Sequence, residues 1–150
     1  MNYSKALNEC IESAYMVAGH FGARYLESWH LLIAMSNHSY SVAGATLNDY
    51  PYEMDRLEEV ALELTETDYS QDETFTELPF SHRLQVLFDE AEYVASVVHA
   101  KVLGTEHVLY AILHDGNALA TRILERAGFS YEDQKDQVKI AGLRRSLEAR

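Results

Sequence analysis

Cysteine, proline and basic side chains are all scarce in this chain, and each scarcity removes a class of protein. Its 150 residues contain one cysteine, Cys10, so no intrachain disulfide can form and a reducing compartment is expected. Two prolines and seven glycines leave long stretches without a helix breaker. Twelve Lys and Arg stand against 24 Asp and Glu, a formal charge of −12. Nucleic-acid binding needs clustered cations to neutralise phosphates, so no nucleic-acid partner is expected. An acidic domain suits basic peptides or basic protein surfaces, and the charge also keeps it soluble. No apolar run is long enough to cross a bilayer, and Met1 to Lys5 lack a charged-then-apolar leader pattern; the expectation is a cytoplasmic chain with no membrane partner. There is also no Gly-x-x-x-x-Gly-Lys-[Ser/Thr] phosphate loop, so the chain itself is not expected to hydrolyse ATP.

What is present is apolar periodicity, and it occurs twice. Hydrophobic residues make up 47% of the sequence, enough for one domain with its own core. After Ser4, a helix-cap residue, the stripe Leu7, Ile11, Ala14, Ala18 and Phe21 follows the three- and four-residue steps of one helix face. The stripe Leu84, Phe88, Ala91, Ala95 and Val98 lies 77 positions further on, behind Ser81. Leu26, Ser28, His30, Leu32 and Ala34 recur at the same offset as Leu103, Thr105, His107, Leu109 and Ala111, and Val42 and Leu47 recur as Leu119 and Leu124. These matches predict an all-α fold of about eight helices, a tandem repeat of two four-helix units related by a pseudo-twofold axis.

Repeat 1 is expected over about 1–64, an acidic linker over about 65–80, and repeat 2 over about 81–150. In repeat 1 the second helix begins with Ser28 as cap. A short third helix carries Val42, Ala43, Ala45 and Leu47, and Pro51 opens a fourth running through Met54, Leu57, Ala61 and Leu64. The linker is rich in Thr, Asp and Glu and reads as a solvated connector, with a functional loop as the alternative. In repeat 2, Asp115-Gly116-Asn117 reads as a turn, Gly128 as the glycine that stops the seventh helix, and Ser130 with Asp133 as a capping pair. The eighth helix is expected to bury Val138, Ile140 and Leu143 and ends basic, at Arg144, Arg145 and Arg150.

The stretch Leu103-Gly104-Thr105-Glu106-His107-Val108-Leu109 concentrates the chemistry. Gly104 suits a turn or a positive φ, Thr105 suits an N-cap, and Glu106 places a carboxylate at the positive end of the helix dipole. Such a carboxylate has an ordinary explanation, since it stabilises a helix by about 0.3–1 kcal/mol with no ligand. It is equally suited to pair with a guanidinium. Repeat 1 has Trp29 at the position of Glu106.

Gly104-Thr105-Glu106-His107-Val108-Leu109, within the duplicated helical frame, resembles the G-T-E-H-[IV]-L signature of the N-terminal domain of Clp-type AAA+ unfoldases, most nearly the ClpC type. The resemblance covers the whole chain. It implies a non-enzymatic substrate-receptor and adaptor-docking domain above a hexameric ATPase ring that feeds a protease. Adaptor proteins and protein substrates would be its direct partners, the ring and protease would be reached through the parent protein, and the isolated domain would be monomeric. No cofactor is implied. In the ClpC type the resemblance also implies a reader of phosphorylated arginine; carried over here, that role falls on Glu106 with Thr105 beside it. Ser28 and Trp29 are the matching positions of repeat 1, where Trp29 departs from the signature.

Histidine and cysteine are two further residue types that can carry chemistry. His30 and His107 open apolar helices and read as half-buried structural histidines, with metal or acid–base duty as the alternative; no spacing supplies the converging ligands of a zinc site. Cys10 aligns with Leu87 and has Glu9 and Glu12 as neighbours, which favours a core thiol over a nucleophile. Two competing functions remain on these residues: a generic helical-repeat interaction module unrelated to proteolysis, and a hydrolase using Glu106 and His107. Adjacent helix positions point about 100° apart, which disfavours the second.

Overall fold

In the computed structural model the described residues are 1–50, 53, 56–68 and 77–148. They form eight helices: α1 Lys5–His20, α2 Ser28–Ser36, α3 Val42–Leu47, α4 Leu57–Thr65, α5 His82–Val97, α6 Thr105–Asp115, α7 Ala118–Arg126 and α8 Tyr131–Glu148. Among the described residues the only extended pairing is two isolated bridges.

The duplication extends to individual hydrogen bonds. Helices α1 and α5 both begin at a serine whose hydroxyl accepts an amide three residues on, Leu7 N–H at 3.0 Å from Ser4 and Leu84 N–H at 3.1 Å from Ser81. Both are 16 residues long. The bridges then reveal the symmetry. Tyr3 pairs with Leu103 and Leu26 with Phe80, and each pair is the other shifted by one repeat with the partners exchanged. Ser4 N–H donates to Leu103 O at 2.8 Å, and Ser81 N–H to Leu26 O at 3.0 Å. Residue i meeting j while j meets i is the mark of a twofold relation, here within one chain.

Packing follows the same exchange. Helices α1 and α2 form one hairpin and α5 and α6 the other; α3 lies on α8 and α4 on α7, across the repeats. One continuous core results, holding Leu7, Leu31, Leu32, Leu84, Leu109 and Leu124 among its buried members. Neither repeat hides its apolar faces alone, so the twofold contact is the core and not an afterthought of it.

Two expectations need correction. Helix α4 starts at Leu57 rather than near Pro51; Pro51 and Met54 lie outside the described residues. Glu53 N–H donates to Ala127 O at 3.0 Å, at the end of α7, and Arg56 N–H donates to Glu53 O at 3.2 Å just before α4. In α8, Val138 is buried but Ile140 is 53% exposed. The steps 138, 140 and 143 do not keep one helix face, and it is Gly142 that lies against Glu106 of α6. Of the acidic linker, residues 69–76 lie outside the described residues, as does Arg150 at the basic end.

Candidate ligand-binding site

Helix α6 starts in a way the sequence pattern does not suggest. Gly104, not Thr105, is its N-cap, and its φ of −107° is ordinary extended backbone rather than a left-handed turn. The Gly104 N–H donates to Nδ1 of His107 at 2.9 Å. At α2, Glu27 N–H donates to Nδ1 of His30 at 2.9 Å. A histidine three residues into each helix thus turns its ring back and satisfies an amide that the helix leaves orphaned. An imidazole accepting at Nδ1 carries its proton on Nε2 and is neutral. Both rings are enclosed completely, beyond the half-burial expected of them: His30 is 0% and His107 2% exposed. Burial pushes the His30 pKa down to about 3.

The hydroxyls expected to cap α2 and α6 serve neither helix. Thr105 Oγ1 accepts from the Ala43 amide at 3.1 Å, so it caps α3, in the other repeat. Ser41 can satisfy only Gly44 N–H, at 2.9 Å, and Thr105 supplies the second acceptor. In α7 the corresponding cap is Asn117, whose Oδ1 accepts from both Leu119 and Ala120, each at 3.1 Å. No amide is left there for Ser28, and its buried Oγ has no hydrogen-bond partner among the described residues.

Glu106 is 5% exposed, far more enclosed than a carboxylate at a solvated helix start. Its side chain folds back over Gly104, where an added Cβ would lie 1.7 Å from Oε1. Close approach is therefore the reason for glycine at 104. From the other side α8 passes over it, with a Cβ at Gly142 falling 3.7 Å from the Glu106 Cβ. The nearest nitrogen paired with its carboxylate is His107 Nδ1 at 3.7 Å, and that atom already accepts from Gly104. Nδ1 therefore does not donate to the Glu106 carboxylate.

Glu106 opens onto a cleft of about 300 Å³. Thr105 lines it from the same helix, Ser4 from the start of α1, Tyr40, Ser41 and Val42 from the approach to α3, and Ser146 from α8. The site is thus composite: its acid comes from repeat 2 and much of its wall from repeat 1. Tyr40 is 72% exposed, and its hydroxyl donates to Glu9 at 2.9 Å. The structure brings Thr105 and Glu106 together in this cleft; Ser28 and Trp29 lie at the equivalent helix start of repeat 1. There Trp29 meets Phe21 edge-on at 4.7 Å and lies 3.9 Å from the His30 ring, so the indole is packed as part of the core edge.

Residues 2–141 match the family model of the Clp repeat N-terminal domain. The chain belongs to that family. Several solved structures share its fold. The N-terminal domain of the chaperone ClpD from Arabidopsis thaliana superposes with a TM-score of 0.77 at 18% identity, covering 96% of this chain and 94% of that one. The Hsp104 N-terminal domain from Candida albicans gives 0.70 at 17% identity, covering 95% and 90%. A chain from a malarial protein secretion system gives 0.69 at 21% identity, covering 95% of each. No curated protein matches the sequence.

Other groups in this Clp repeat domain are held in structural settings. Cys10 is fully buried, and burial raises its pKa to about 11, the reverse of what a nucleophilic thiol needs. No group of three or more His, Cys, Asp and Glu among the described residues is placed to hold a metal ion. No described helix is long and apolar enough to cross a membrane.

Proposed function

We propose that this domain is the substrate-receptor and adaptor-docking part of an ATP-dependent Clp unfoldase, of the ClpC type, acting in regulated proteolysis in the cytoplasm. On this reading repeat 1 spans about 1–64 and repeat 2 about 81–150, the domain is monomeric by itself, and catalysis belongs to the parent ring and its protease.

Within that role the cleft at Glu106 holds the cationic end of a marked protein, with phosphoarginine the ligand of choice. One observation carries this: a carboxylate 5% exposed, opening onto a cleft and accepting no hydrogen bond from a described residue. A buried carboxylate without a donor is costly, and an entering guanidinium removes that cost with charge-assisted hydrogen bonds. The first-turn amides of α6, an 11-residue helix, are suited to the phosphate of the same group. Repeat 1 presents an indole at this position, which stacks on cations but cannot form the ion pair.

The test is calorimetric titration of phosphoarginine, arginine and phosphoserine into the wild type, Glu106→Ala and Trp29→Ala. Phosphoarginine should bind best, and Glu106→Ala should weaken it by about 1.5–3 kcal/mol, the range for a hydrogen bond to a charged group. Trp29→Ala should lower stability and leave this binding unchanged. Equal affinity in wild type and Glu106→Ala would reduce Glu106 to a favourable charge at a helix start.

A further inference from the structure

The outer face of α5 carries an apolar stripe that no described residue covers. Val86, Tyr93 and Val97 are 42%, 71% and 57% exposed. Between α5 and α6 lies a groove of about 520 Å³, bordered by Val86, Tyr93, Val94, Tyr110 and His114 with Ala111 buried at its base. Asp89 and Glu90 line the same groove and are exposed, and neither forms an ion pair with a described residue. Lys139 lies over the Tyr110 ring at 5.1 Å, but Asp136 already holds its ammonium at 2.9 Å.

Repeat 1 treats the same helix face differently. The counterparts of Val86 and Val97 are Glu9 and His20. Glu9 accepts from Tyr40 and pairs with Lys5, and His20 is bound to Glu58. The counterpart of Tyr110 is Ile33, which is fully buried. Polar groups that satisfy one another in repeat 1 are thus replaced in repeat 2 by the exposed Val86 and Val97, while Tyr93 answers to Met16, itself 53% exposed, and Asp89 to Glu12.

We propose that this groove docks a helical segment of a partner protein, one face of which presents aliphatic or aromatic side chains flanked by Arg or Lys. The apolar stripe supplies the seat, since an uncovered row of this kind marks a helix-in-groove contact. Asp89 and Glu90 supply the charge selection, because their potential favours a cationic flank and rejects an acidic one. The stripe from residue 86 to 97 runs about 16 Å along the helix axis, the length of about three turns of a docked helix. A net charge of −12 opposes a second copy of this chain as the occupant. The surface shares no residue with the Glu106 cleft and does not depend on what that cleft binds.

The probe is a fluorescent amphipathic helical peptide of leucine and lysine, which carries no guanidinium for the Glu106 cleft, titrated against the full chain by anisotropy, with a leucine and glutamate peptide as control. The cationic peptide should bind and the acidic one should not. Tyr93→Ala and Glu90→Lys should each weaken binding by roughly tenfold or more. Glu125→Lys should leave it within about twofold, because it changes net charge equally at an exposed site on α7. Full affinity in Tyr93→Ala, or equal weakening by Glu125→Lys and Glu90→Lys, would overturn the proposal. So would self-association of the chain that Tyr93→Ala abolishes, since the groove would then belong to a second copy.

Discussion

At the start of α6 a glutamate folds over a glycine, a threonine hydroxyl reaches into the other repeat, and a cleft opens above them. At the start of α2 a glutamate backbone stands where the glycine was, an indole where the acid was, and a serine hydroxyl has no partner among the described residues. Both starts keep the histidine ring that accepts the N-cap amide, at 2.9 Å in each case. Duplication has therefore preserved the element that the helix requires and released the elements around it. Once the backbone amide is satisfied by histidine, positions 28 and 105 and positions 29 and 106 are free to diverge. Repeat 1 used that freedom for packing, and repeat 2 for an enclosed charge.

The comparison breaks most sharply at Gly44 and its counterpart Thr121. A Cβ at Gly44 would lie 1.9 Å from the His38 carbonyl oxygen and 2.6 Å from that of Met35, and backbone cannot step aside. Gly44→Ala should cost at least about 3 kcal/mol, beyond the usual range for overpacking. Thr121→Gly should cost roughly 0.3–0.5 kcal/mol, the helix-propensity gap between threonine and glycine. Urea unfolding of the two variants measures this; equal losses would mean that α3 and α7 pack alike.

A second test uses pH. Buried His30 stays neutral down to about 3, whereas the unfolded chain takes up a proton near 6.5. Between those values the unfolded state binds more protons, so the contribution is complete above pH 6.5 and is lost as pH falls towards 3. The slope approaches about 1.4 kcal/mol per pH unit for one proton. His30→Asn keeps an acceptor for the Glu27 amide and removes the titration. Its stability should therefore vary less than that of the wild type between pH 6 and 4, measured by denaturant midpoints. An unchanged slope would show that other groups carry the acid sensitivity.

The smallest effects separate the two hydroxyls. Thr105→Val leaves the buried Ala43 amide without its acceptor and should cost about 1–2 kcal/mol. Ser28→Ala removes an oxygen without a described partner and should be neutral or slightly stabilising. Thermal unfolding of the pair suffices, and similar losses in both would place a partner on Ser28 as well.

What the sequence determined by itself is the local and periodic part of this molecule. Apolar stripes at helical spacing, serine caps at Ser4 and Ser81 and the glycine stop at Gly128 each depend on residues a few positions apart, so they were legible at once. The constant offset made the duplication legible too, because equal side chains at equal spacing fold alike. Tertiary structure decided the rest. Thr105 caps a helix 62 residues away, Glu53 is held by the end of α7, and Gly142 of α8 lies close against Glu106. Tyr40, Ser41 and Ser146 line the cleft without any spacing that announces them. A hydroxyl or carboxylate at a helix start has several partners of nearly equal worth nearby, and only the packing of the two repeats selects one. The pattern shows that such a group will be satisfied or left open; the fold chooses where.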